Sequence, residues 1–148
     1  MALEAGKASP VERTAGRTHA LQIGTRSRVE FLDITARLHK LVEESGVRAG
    51  VCYVFVPHTT AALLINENDD PGLQKDLDKF LGGLAPVRHD YHHNDGNCDA
   101  HLKAALIGVS KTLLIEDRRL VLGHWQGVFF CEFDGPRRRE LCVKIISD

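Results

Sequence analysis

Val51-Cys-Tyr-Val-Phe-Val56, then Pro57-His58-Thr59-Thr60, then Ala61-Ala-Leu-Leu-Ile65, is the stretch that decides the fold class. The first run is short, β-branched and aromatic, which predicts a buried strand; the second apolar run predicts another strand after the His58-Thr59-Thr60 interruption. His58 is thereby placed at a strand end or bulge. Immediately downstream Asp70 reads as a helix cap and Pro71 as a first helical residue, with Leu73, Leu77, Phe80 and Leu81 at helical spacing and Gly82-Gly83 as the stop. Working back towards the N-terminus, residues 19–26 and 28–31 read as extended pieces. Asp33 then reads as the cap of a helix over 34–45, with Ile34, Leu38, Leu41 and Val42 on one face and Gly46 ending it. Towards the C-terminus, Asn97 reads as the cap of a third helix reaching Ile107, with Leu102, Ala105 and Leu106 on one face. Residues 111–115, 119–122, 127–133 and 140–146 are strand-like, the last two joined by a turn at Asp134-Gly135. Strands and helices mix without a regular βαβ repeat, so the expectation is a single compact α+β domain with three helices.

Length and charge narrow the function. The chain has 148 residues and a formal net charge of −1, enough for one core and too balanced for a general attraction to nucleic acid. No apolar run approaches the ~18 residues of a membrane helix, and the polar N-terminus lacks the apolar centre of a signal peptide. Neither nucleic acid nor a membrane is therefore an expected partner, and a cytoplasmic location is expected. Residues 1–18 lack periodicity and read as a flexible tail, leaving 19–148 as the domain. Cys52, Cys131 and Cys142 lie singly in strand-like sequence and read as small buried thiols, whereas Cys98 sits in a polar loop.

Three polar islands interrupt the hydrophobic pattern. The densest runs from Tyr91 to His101 and carries three histidines, two aspartates and two asparagines around Gly96. The others are His58-Thr59-Thr60 and the segment from Trp125-Gln126 through Glu132 to Arg137-Arg138-Arg139. If they converge, His58, His93 and His101 supply three imidazoles, the number of protein ligands that a catalytic metal site commonly uses. His92 is interchangeable with His93 in this reading, and without metal the same rings serve as acids or bases near neutrality. Glu132 stands among Val128, Phe129, Phe130, Cys131 and Phe133, so it needs either solvent or a partner. Glu67 is the second carboxylate of interest, although acids before a helix also serve its positive end. Arg137 and Arg139 offer planar donor forks suited to phosphate, against the plainer alternative of a solvated basic turn, and Arg138 should face away from both. Trp125 and Gln126 could present a stacking face and an amide to a flat ring, or simply pack.

Taken in order, His58-Thr59-Thr60-Ala61-Ala62, Ile65-Asn66-Glu67, Asn97 to His101, Leu122-Gly123-His124-Trp125-Gln126 and Glu132-Phe133-Asp134-Gly135-Pro136-Arg137 resemble the YjbQ-like family. The resemblance runs from about Leu21 to the C-terminus. Its members are described as secondary thiamine-phosphate synthase proteins, and it implies a barrel-like mixed sheet and a homotrimer. His124 stands where similar proteins carry a small hydroxyl residue, and Cys98-Asp99 is a second departure.

The activity so implied joins a pyrimidine pyrophosphate to a thiazole phosphate with loss of pyrophosphate. It requires charge neutralisation at the leaving group by Arg or a divalent metal, zinc or magnesium, and no organic cofactor. In that reading His58, Glu67 and Glu132 are catalytic. Thr59, Thr60, Asn97, Trp125, Gln126, Arg137 and Arg139 bind a small phosphorylated metabolite, and His58, His93 and His101 hold the metal. The chain is too short for a (β/α)₈ barrel, which takes at least ~200 residues. A metal-dependent phosphoester hydrolase and a non-catalytic metabolite-binding module are the alternatives.

Overall fold

The computed structural model describes residues 17–148, so the expected tail lies outside the described residues except for Arg17 and Thr18, and Thr18 already begins the first strand. The elements run β1 (Thr18–Gly24), β2 (Glu30–Asp33), α1 (Thr35–Ser45), β3 (Gly50–Phe55), β4 (Ala61–Glu67), α2 (Pro71–Leu84), α3 (Cys98–Ile107), β5 (Ser110–Glu116), β6 (Arg119–Leu120), β7 (Gln126–Glu132) and β8 (Arg138–Ser147). They form one α+β domain with three helices and a curled, half-barrel sheet arrangement. A sheet ordered β1-β8-β3-β5-β6 faces a smaller one ordered β2-β7-β4. All strand pairings among the described residues are antiparallel, a finer point on which the structure differs from the mixed sheet that the resemblance implied.

Side-chain alternation explains the layers. On β7, Val128 and Phe130 join the core between the two sheets, while Phe129 and Cys131, with Phe133 just beyond the strand, join a second core on the opposite face. Cys52, Val54 and Val56 in and after β3, and Leu141, Val143 and Ile145 on β8, fill the first core from the larger sheet; α1 adds Leu38 and Val42. Leu81 of α2 and Ala100 and Ala104 of α3 cover the second. The smaller sheet is therefore buried on both faces, whereas the larger one turns Tyr53, Leu114 and Ile146 outward. Among the described residues no helix is long and apolar enough to cross a membrane.

Several local expectations shift. β3 is buried on one face only, because Tyr53 and Phe55 alternate outward. Asp33 works one position further out than expected: its carboxylate accepts from the Thr35 backbone N–H at 2.9 Å, while Ile34 occupies the cap position. Asp70 caps α2 as expected by accepting from Gly72 N–H at 2.7 Å, but α2 continues through Gly82-Gly83 to Leu84. On α3 the buried residues are Asp99, Ala100, Lys103 and Ala104, and Leu102 and Leu106 are exposed. β7 and β8 belong to different sheets, so Asp134-Gly135-Pro136 is a crossover between layers and not a hairpin. Cys52 and Cys131 are buried as expected and burial pushes both thiols up to about 12; Cys142 is only half-buried, on the outward side of β8.

Candidate active site

Strand parity builds the centre of the site. Arg139 shares the inward face of β8 with Leu141, Val143 and Ile145, and Glu132 shares the inward face of β7 with Val128 and Phe130. At one end of the inter-sheet core the two therefore meet instead of two apolar residues. Arg139 Nε donates to Glu132 Oε2 at 2.9 Å, and Nη2 donates to Glu132 Oε1 at 2.6 Å and to Thr60 Oγ1 at 2.8 Å. Glu132 also accepts from Thr25 Oγ1 at 3.0 Å and from the backbone N–H groups of Phe133 and Asp134 at 3.1 and 3.0 Å. Burial pushes this carboxyl up, but the Arg139 hydrogen bond and charge, with the Asp134 N–H and Thr25, outweigh it and hold it below the usual range.

Arg139 also lines a cleft of about 810 Å³ with His58, Thr59, His101, Phe55, Ala105 and their neighbours. Among the described residues its Nη1 has no hydrogen-bond partner, and Asn97 Oδ1 is the one buried side-chain polar atom without a partner. Nη1 therefore keeps accessible surface, which the cleft supplies. The same reasoning applies to His58. Its Nε2 lies 3.0 Å from the Glu140 backbone N–H and 3.1 Å from the Glu140 carbonyl, so either tautomer is satisfied at that nitrogen and Nδ1 is left for a ligand.

His101, in the first turns of α3, reaches the cleft, and its ring stands 4.8 Å from that of His93. His93 Nε2 is in turn 3.5 Å from Asp95 Oδ2, a contact that is ionic only when the ring is protonated. Among the described residues His92, the alternative to His93, makes no such ring contact. Among the described residues no three His, Cys, Asp or Glu side chains stand close enough together to hold a metal ion. Of the expected set, His93 and His101 thus form a close pair, and His58 lines the same cleft as His101.

α3 is anchored by charge. Asp99 accepts from Arg28 Nη1 and Nη2 at 3.0 and 2.9 Å and from Lys103 Nζ at 2.9 Å, and both Asp99 and Lys103 are buried. Burial pushes the Asp99 carboxyl up, but the hydrogen bonds and charges of Arg28 and Lys103 bring it down to about 2. Sequence reasoning missed this triad. The i,i+4 spacing of Asp99 and Lys103 was a readable signal; nothing local marks Arg28, or Thr25.

The remaining expected residues lie elsewhere. Asn97 occupies the α3 cap position without capping it, and its Nδ2 donates to Asp134 Oδ2 at 2.8 Å. Arg137 is exposed and folded back on Asp134, Nη2 to Oδ2 at 2.9 Å and Nε to the carbonyl at 2.8 Å, away from the cleft lining. Glu67, Trp125 and Gln126 are at the far end of the smaller sheet: Ala61 pairs with Glu132 and Glu67 pairs with Gln126. Six residue steps at ~3.3 Å separate those rungs by roughly 20 Å. Within one chain, two of the three islands and the Glu132–Arg139 part of the third converge, and the Trp125-Gln126 part does not.

A family model described as UPF0047 protein YjbQ-like matches residues 19–148. The chain is 50% identical over 127 residues to the UPF0047 protein MJ1081 of Methanocaldococcus jannaschii, covering 86% of this chain and 92% of that protein. It is 42% identical over 128 residues to the UPF0047 protein YugU of Bacillus subtilis, covering 86% and 97%. Among solved structures it is similar to a YjbQ/UPF0047 protein from Clostridium acetobutylicum, with 47% identity, TM-score 0.85 and coverage of 86% and 99%. A hypothetical protein from Aeropyrum pernix matches at 34% identity and TM-score 0.85, covering 89% and 99%.

Proposed function

This chain belongs to the UPF0047 YjbQ-like family, and from that premise and the cleft geometry we propose that it is a cytoplasmic transferase acting on small phosphorylated metabolites. Arg139 carries the proposal. Its guanidinium is held rigidly by Glu132 and Thr60 while Nη1 remains for a phosphate oxygen, so the donor needs no reorganisation when the ligand arrives. Thr59 adds a hydroxyl at the rim, and His58 Nδ1 and His101 are positioned to move protons. Glu132 orients Arg139 in this reading and is not a base, since each of its oxygens already accepts at least two hydrogen bonds.

The finer proposal is the thiamine-phosphate synthase type of reaction. The thiazole nitrogen forms a bond to the exocyclic carbon of the pyrimidine as that carbon's bond to pyrophosphate oxygen breaks, and the pyrophosphate leaves with the electron pair. Incubating the purified chain with the pyrimidine pyrophosphate and the thiazole phosphate should yield the joined phosphate and one equivalent of pyrophosphate, and Arg139→Ala should abolish both. Release of inorganic phosphate without joining would indicate the phosphoester hydrolase, a reading favoured by the His93–His101 approach; binding without turnover would indicate the metabolite-binding module.

A divalent metal, zinc or magnesium, is a companion proposal. The donor set as placed offers two neighbouring imidazoles and not three, so no step is routed through the ion. Elemental analysis of the native chain and His101→Ala tests it, with loss of bound metal in the variant expected. A homotrimer is also proposed, supported by the outward Tyr53, Leu114 and Ile146 of the larger sheet and tested by sedimentation.

A further inference from the structure

His58 is held where the strand ladder runs out. β3 ends at Phe55, which pairs with Cys142, so Glu140 lies beyond the last β3 rung on β8. Pro57 cannot extend the ladder, because it has no backbone N–H. The His58 ring takes over that task, its Nε2 meeting both the Glu140 N–H at 3.0 Å and the Glu140 carbonyl at 3.1 Å. One ring nitrogen is therefore fixed by main chain. Among the described residues Nδ1 has no hydrogen-bond partner, and since Asn97 Oδ1 is the one buried polar side-chain atom left without a partner, Nδ1 keeps accessible surface on a half-buried residue. His58 lines the cleft together with Arg139, and the described lining includes no carboxylate to repel an anion. With the ring proton on Nε2, that N–H donates to the Glu140 carbonyl and Nδ1 carries the free lone pair. An imidazole fixed through one nitrogen and open at the other is arranged as a nucleophile. His101 shares the cleft without such a hold, its ring standing against that of His93.

We propose that His58 Nδ1 is a phosphoryl acceptor, so that the cleft forms a phosphohistidine from an activated donor, a phosphoramidate or an acyl phosphate. The inference goes beyond the joining reaction, in which His58 moves protons, and rests on the proposed phosphate site at Arg139. With phosphoramidate, the Nδ1 lone pair forms a bond to phosphorus as the donor's P–N bond breaks, and that bond's electron pair leaves with ammonia. The ring keeps its Nε2 proton and becomes cationic, which strengthens the hydrogen bond to the Glu140 carbonyl. Arg139 meets the phosphoryl oxygens. Attack by water then breaks the N–P bond, returns its electron pair to Nδ1 and releases dihydrogen phosphate, leaving the neutral ring.

The test is incubation of the native full chain with phosphoramidate, with acid-labile, alkali-stable phosphate mapped by mass spectrometry and the ring isomer read by phosphorus NMR. Of the chain's eight histidines His58 should be modified first, at Nδ1 and about tenfold faster than the exposed His89, His92 and His124. Accessibility alone gives the opposite order, because His58 is less exposed than those three. Excess inorganic phosphate should slow labelling of His58 and leave the exposed histidines unaffected, and His58→Gln should remove only the fast adduct. Arg139→Ala should slow the His58 step about a hundredfold; protection by phosphate gives the same information without depending on that variant's folding. Faster labelling of an exposed histidine or of His101, an Nε2 adduct at His58, or labelling of His58 that phosphate does not slow overturns this inference alone. Failure of the native chain to bind inorganic phosphate in a calorimetric titration overturns the phosphate site and this inference with it.

Discussion

Two arginines three residues or fewer from the same turn have opposite fates, and the start of β8 at Arg138, between them, is the reason. Arg139 enters β8 facing the core and is buried against Glu132; Arg137 precedes the strand and folds onto Asp134 at the surface. Arg139→Lys keeps the charge but loses the planar fork, so inorganic phosphate affinity should fall about tenfold, whereas Arg137→Lys should leave it unchanged; parallel titrations of the two variants check this. Equal losses in both would remove Arg139 from its special place. A second residue-level consequence concerns Asp99, whose folded carboxyl sits at about 2 against about 3.9 for an unfolded chain. The folded value is depressed, so the stability it contributes is present above pH 4 and is lost as pH falls towards 2. Asp99→Asn leaves Lys103 buried without its anion and should cost about 3 kcal/mol in urea unfolding near neutrality. The variant's remaining stability should also change less than that of the native chain between pH 4 and 2. An unchanged acid profile would show that Asp99 is not a source of that dependence.

Among the elements, β7 was read only as strand-like, although its residues carry a signal of burial on both faces. Val128-Phe-Phe-Cys-Glu-Phe133 has no polar alternation until Glu132, the pattern of a strand covered on both faces, and the structure covers it with a sheet on one side and two helices on the other. α1 and its Gly46 stop were legible, since Gly46 adopts a φ of 72° that suits glycine. The β7–β8 connection was not. Asp-Gly between two apolar runs ordinarily signals a hairpin, and nothing local states that the next strand will pair in another sheet. Gly135 has a different task in that crossover: a Cβ there would collide with the Ser27 carbonyl and come within 2.8 Å of Glu132 Cγ and 2.9 Å of Thr25 Oγ1. Backbone cannot yield as a flexible side chain would. Gly135→Ala should therefore destabilise the domain by about 2 kcal/mol or more and loosen the Glu132–Arg139 pair, seen as a lower urea midpoint together with weaker phosphate binding. α3 was misphased for a related reason: its buried face carries Asp99 and Lys103, so hydrophobicity selected Leu102 and Leu106, which lie outside.

For the molecule as a whole, the site was legible as a composition and only partly as a place. His58, Thr60, His101, Glu132 and Arg139 were identifiable because they belong to polar islands that interrupt the apolar pattern, and they do assemble. Glu67, Trp125 and Gln126 drew attention by the same logic, but a strand's length carries them to the other end of the smaller sheet, and sequence order alone does not say at which end a motif will fall. Trp125→Ala should accordingly leave phosphate affinity at the cleft within about twofold of native, a difference of roughly 0.4 kcal/mol; a larger loss would show that the two ends act together. The placement of that indole has a practical consequence. It is the chain's single tryptophan, 56% exposed and edge-on to His124 at 4.7 Å. Its fluorescence should be that of a solvent-bathed indole, largely blind to occupancy of the cleft. An optical signal for binding has to come from the ligand, or from a tryptophan introduced where Phe55 now stands.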